Sequence, residues 1–164
     1  LSRSTHLLRR FLASLWPGGP SGSSETWARD HLLVGEAALW DQMSGADRRH
    51  AVAVARRVDD ALGHPERAVL AAALLHDIGK VDSGMGTPAR VVATIVAMVG
   101  GQRARSGTGR IGRYLRHPLI GSDLLLGAGS EPVTVAWAAE HHLPERQWTV
   151  DPVIARALHA ADDD

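Results

Sequence analysis

Prolines punctuate this chain where helices would begin. Pro65, Pro88, Pro118, Pro132 and Pro152 each head a segment whose apolar residues recur at helical spacing. Proline lacks the N–H that a first helical turn leaves unpaired, and its fixed φ suits that turn. In a central strand the same residue would remove a ladder bond. Composition points the same way. Hydrophobic residues make up 45% of the chain, much of it Ala, Val and Leu, with one Phe and one Tyr beside five Trp. Ala and Leu favour helix, and the alternation expected of strands is weak. The expectation is an all-α, compact helical bundle with one hydrophobic core, a size that 164 residues suit.

Residues 4–16 form an amphipathic pattern with Arg9 and Arg10 outward. It reads as a helix packed on the domain, with a membrane-surface anchor as the alternative. Residues 16–24, rich in Pro, Gly and Ser, read as a linker or loop. This divides the chain into an N-terminal segment, 1–24, and a helical domain, 25–164. Within the domain, helices are expected as one or two pieces over 25–43, then from Gly45 to about Leu62. The next runs from Pro65 to about Ile78, where Gly79 can end it, and another from Pro88 to Val99. A Gly- and Arg-rich loop over 100–110 precedes a short helix at Ile111–Tyr114. The remaining segments are Pro118 to about Leu126, Pro132 to near His142, and Pro152 to about Ala161.

The formal net charge is zero, so no nucleic-acid partner is expected. No apolar run reaches the roughly 18 residues of a membrane span, and the expected location is cytoplasmic. There is no cysteine. A transition-metal site in this chain would therefore be built from His, Asp or Glu.

Nine histidines are present. His50 shares a helical face with Val54, Val58 and Ala61, which turns it inward near the start of its helix. Alone, it reads equally as a hydrogen-bonded core histidine. His76 and Asp77 follow the apolar run Ala71–Leu75 directly. A carboxylate at the end of so apolar a helix is costly to bury unless it is paired or bound to a cation. Ile154, Leu158 and Asp162 fall on one stripe of the last helix. Asp163 and Asp164 leave that stripe and read as an acidic tail.

His50, then His76-Asp77, then Asp162 resembles the H…HD…D pattern of the HD-domain phosphohydrolase superfamily. Leu74-Leu75-His76-Asp77-Ile78-Gly79-Lys80 is similar to the LLHDIGK segment of that family, and Ala160-Ala161-Asp162 to its closing A-D segment. The resemblance covers about residues 45–164. It implies an all-α bundle of the HD type in which His50, His76, Asp77 and Asp162 bind a divalent metal.

Two further elements resemble the two-metal members, including the HD-GYP proteins. These are His117-Pro118-Leu119-Ile120-Gly121 and the pair His141-His142. By that similarity His117, His141 and His142 would hold a second metal, with Asp77 bridging. Adjacent residues on a helix point about 100° apart, so both rings reach one site only if the helix end unwinds. Otherwise one is a core and one a surface histidine. The chain departs from HD-GYP after the pair, where Leu143-Pro144-Glu145 stands instead of a Gly-Tyr-Pro segment, so a cyclic-di-GMP substrate is not implied.

The resemblance implies a metal-dependent phosphohydrolase acting on a phosphomonoester or phosphodiester of a nucleotide or similar small metabolite. One or two ions of Fe, Mn, Ni, Co or Zn would serve. Asp77 and Lys80 would be catalytic. Lys80, with Arg113 and Arg116, would contact the phosphorylated substrate. Lys80 also reads as a solvated cation closing a helix. A di-iron HD-type oxygenase and a non-catalytic HD-type regulatory or binding module are the alternatives.

Overall fold

The computed structural model describes residues 18–83 and 116–163. The expected helices at 4–16 and Pro88–Val99, the loop 100–110, the short helix Ile111–Tyr114, Arg113 and Asp164 lie outside the described residues. Every element among those described is helical, and none is a strand. In chain order they are α1 (Gly22–Asp30), α2 (Val34–Trp40), α3 (Gly45–Leu62) and α4 (Arg67–Leu75). A 3-10 segment (Ile78–Ser83) follows, then α5 (His117–Gly127), α6 (Pro132–Glu140), a 3-10 turn (Glu145–Gln147) and α7 (Pro152–Asp163).

Several boundaries follow from capping. Ser44 caps α3 by accepting from the Asp47 N–H, and Gly63, at φ 66°, closes it in the left-handed conformation. Asp151 accepts from the N–H groups of Val153 and Ile154 and so caps α7. Pro118 and Pro132 lie in first turns, and Pro152 opens α7. Three expectations are corrected. Gly22-Ser23-Ser24 are helical, because Ser21 accepts from the Ser24 N–H and starts α1 there. Pro65 lies before α4 and outside its first turn, since α4 opens at Arg67. Gly79 does not end that helix. The helix stops at Leu75, and Gly79 lies within the 3-10 segment.

The central element is α4. Every residue from Ala68 to Leu75 is buried, which agrees with its all-round apolar sequence. It packs between α3 and α6, while α7 lies against α3 and α5 against α6. Val54, Ala55 and Val58 from α3 meet Leu74, Leu75, Trp137 and Leu158 in one core. Ala61, expected on the inner face of α3, is exposed at the helix end. Glu36 is fully buried, and its side chain accepts from the Leu33 N–H at 2.7 Å and from Arg67 at 2.9 Å. Those charge-assisted bonds offset its desolvation.

The role of Gly79 is close approach. A Cβ placed there would lie 1.9 Å from the His117 carbonyl oxygen and 2.6 Å from the Gly121 nitrogen. Only glycine lets the first turn of α5 press against the segment that carries Asp77. This contact brings His117 to the end of α4.

Candidate metal centre

Five of the described segments deliver titratable side chains to the C-terminal end of α4. His76 is the residue that closes α4, and its Nδ1 donates to the Ala73 carbonyl at 2.9 Å. His141 closes α6 in the same way, with Nδ1 donating to the Ala138 carbonyl at 2.9 Å. A carbonyl only accepts, so both rings carry their proton on Nδ1 and turn a bare Nε2 inward. Both Nε2 atoms are buried and make no hydrogen bond among the described residues. A buried nitrogen lone pair without a donor is costly in an apolar interior, and it is what a metal requires of a histidine.

Asp77 lies between two sets of rings. Its Oδ2 lies 3.5 Å from His76 Nε2 and is paired with the Lys80 ammonium. Its Oδ1 lies 3.3 Å from His117 Nε2 and 3.7 Å from His141 Nε2. On the Oδ2 side, His50 Nε2 meets Asp162 Oδ1 at 2.9 Å, and His76 Nε2 lies 3.7 Å from that same oxygen. Ligand bonds of about 2.0–2.2 Å set neighbouring ligand atoms roughly 3–3.5 Å apart, which matches these separations.

Two groups therefore offer ligand atoms within 4.8 Å of one another: His50, His76 and Asp77, and Asp77, His117, His141 and His142. Asp77 is common to both. The adjacent pair His141-His142 converges because α6 ends at Glu140. Past that point the rings lie 4.0 Å apart, centre to centre, and His142 comes within 5.2 Å of the His117 ring. The core-and-surface reading of this pair is correct for exposure, since His141 is buried and His142 exposed. It does not hold for position, since both rings reach the cluster.

The electrostatics favour a cation. Burial pushes the Asp77 carboxyl up, but Lys80 beside it, then His76, His117 and His141, outweigh that and hold it well below the usual carboxylate range. Burial also acts to raise Asp162, and the bond from His50 with the nearby His76 brings it below that range. Burial lowers His76 and keeps its ring neutral. Partial desolvation, then His141 and His117, lower His142 likewise. Asp77 and Asp162 are thus favoured as carboxylates and His76 and His142 as neutral imidazoles, the protonation states of metal ligands.

The other expected residues are placed as follows. His50 and Asp162 are half-buried at the mouth of the cluster. Lys80 reaches Asp77, so it is a member of the cluster and not a solvated cap. Arg116 stands at the N-cap of α5, one residue before His117. Two further residues carry no sequence signal of their own. Arg57 donates twice to the Ala161 carbonyl, at 2.9 and 2.6 Å, and pins the last turn of α7 beside Asp162. Glu140 is buried immediately before His141.

A model of the HD domain family matches residues 49–163. The chain belongs to the HD-domain superfamily of metal-dependent phosphohydrolases. Domains of this family bind divalent metals, and the His/Asp cluster at the end of α4 is a group that could hold one. No curated protein and no solved structure matches the chain.

Proposed function

We propose that this chain is a hydrolase for a phosphomonoester or phosphodiester of a nucleotide or similar small metabolite, with a two-ion site bridged by Asp77. One observation carries the reading: each carboxylate oxygen of Asp77 faces a different set of histidines. His50, His76 and Asp162 would hold one divalent transition ion with Asp77, and His117, His141 and His142 the other. Such ions supply a nucleophilic water at neutral pH and neutralise charge on the phosphoryl oxygens.

The chain's own residues do the rest. His76 and His141 are held in the ligating tautomer by the carbonyls of Ala73 and Ala138, so neither ring needs to change tautomer to take up an ion. Asp77 stays ionised and orients whatever lies between the two histidine sets. Lys80, paired with Asp77 from one turn on, carries an ammonium that can pass to a phosphate oxygen. Arg116 at the head of α5 adds a bidentate donor for the anionic end of a substrate.

The test is hydrolysis of p-nitrophenyl phosphate and bis-p-nitrophenyl phosphate by the protein reconstituted with Mn²⁺, Co²⁺ or Fe²⁺. Phosphate or nitrophenol release that disappears in Asp77→Ala supports the proposal. Dioxygen uptake by the iron form without ester hydrolysis would favour the oxygenase alternative. Stoichiometric metal with neither activity would leave a binding module.

A further inference from the structure

Glu140 is an acidic side chain that is 7% exposed, yet it touches no residue of the candidate ligand set by hydrogen bond. Its bonds run forward along the chain. One oxygen accepts from the Thr149 N–H at 2.7 Å and from the Val150 N–H at 3.4 Å, and the other accepts from the Thr149 hydroxyl at 2.5 Å. The side chain thus closes the base of the segment that follows α6. Within it, Leu143 N–H donates to the Glu140 carbonyl at 2.7 Å, Trp148 Nε1 donates to the Leu143 carbonyl, and Trp148 packs edge-on against Trp137 at 5.5 Å.

The segment that is clamped begins with His141 and His142. Two adjacent residues face one site only where the helix has ended, and a helix end frays unless something holds it. Leu143 N–H supplies one local hold, and Glu140 supplies a distant one by tying the helix end to residues 149 and 150. Ligand geometry tolerates errors of only a few tenths of an ångström. A small rotation of the α6 terminus would carry both rings out of reach of His117 and Asp77.

We infer that Glu140, through Thr149 and Val150, is the positioning residue for the His117/His141/His142 half of the site. The inference rests on the two-ion reading. It assigns no such role on the other half, where His50 and Asp162 hold each other directly.

The experiment is titration of metal-free protein with Co²⁺, followed by calorimetry and by the cobalt d–d absorption. Wild type is expected to take two Co²⁺ per chain. Glu140→Ala is expected to keep one step at wild-type affinity and to weaken the other by about 10–100-fold, the usual effect of losing a ligand's support. Glu140→Gln keeps one acceptor for the Thr149 N–H and can donate to its hydroxyl, so it should restore the second step to within roughly threefold. A purely structural role would lower the melting temperature and leave both Co²⁺ steps alike. Two unchanged steps in Glu140→Ala would overturn the inference and leave the two-ion reading intact. Absence of Co²⁺ binding by wild type would overturn both. If Glu140→Ala does not fold, Thr149→Val carries the test, since Thr149 is exposed. Selective weakening of the second step there supports the clamp, and an unchanged second step overturns it.

Discussion

The two sides of Asp77 are built by different means. On the Oδ2 side, His50 and Asp162 come from α3 and α7, lie 112 residues apart in the chain, and bond to each other across the mouth of the cluster. Their side chains are 30% and 23% exposed. On the Oδ1 side, the His117 and His141 side chains are 7% and 1% exposed. They are placed by close backbone packing at Gly79 and by the end of α6. One side is assembled by tertiary packing of long helices and remains open to water. The other buries His117 and His141, leaves His142 at the surface, and depends on how two helix termini are finished. The first arrangement is set by packing between elements distant in the chain, the second by local chain geometry.

Asp77→Ala removes the only residue common to both groups, so both ions should be lost. The loss of affinity should exceed about 100-fold at each step, beyond what loss of a mere supporting group costs. Elemental analysis after dialysis checks this. If one ion persisted at full occupancy, Asp77 would not be the bridge.

Leu74 is fully buried in α4, the helix that leads into His76 and the shared Asp77. Leu74→Ala should cost about 2–5 kcal/mol of stability by chemical denaturation. The protein that remains folded should show unchanged metal stoichiometry, because the lesion favours neither side. Selective loss of one ion would show that α4 supports the halves unequally.

Acidification should act next. Burial lowers His76 in the folded protein, so its contribution is fully present above the unfolded histidine value near 6.5. It is lost as pH falls from there through the depressed folded value. Asp77 and Asp162 are likewise held below their ordinary range, so their contribution is present above about 4 and lost below it. Melting temperatures of the metal-free protein should fall from pH 7 to pH 5 and fall further below pH 4. With metal bound, the fall between pH 7 and 5 should steepen as protons compete for the ring nitrogens. A melting temperature that rises on acidification would contradict the sign.

The smallest effect is expected at Arg57. Its two bonds to the Ala161 carbonyl steady Asp162 from outside the ligand set. Arg57→Gln should lower stability by about 1 kcal/mol. It should also weaken metal binding several-fold at the half that contains His50 and Asp162, and leave the other half alone. Equal weakening of both would remove the distinction for this residue.

Much of this is legible in the residues. First-turn prolines mark the starts of three described helices, and the run Ala71–Leu75 marks the buried helix and its charged end. The H…HD…D pattern by itself groups four residues of the cluster. The unread parts share a cause. Gly79 reads as a helix stop because a glycine after an apolar run usually is one. Its close packing on His117 depends on a segment 38 residues away and has no local signature. Arg57 and Glu140 carry no local signal, since their partners lie 104 and nine residues on. For His141-His142 the 100° argument left two outcomes open, and the end of α6 at Glu140 decides for the one in which both rings reach the cluster.

The most direct measurement is metal content per chain, by elemental analysis after reconstitution and dialysis, of wild type, His50→Ala and His117→Ala. A site divided by Asp77 predicts two ions in wild type and one in each variant, each variant losing a different ion. One ion in wild type, or loss of all metal in either variant, would contradict the division.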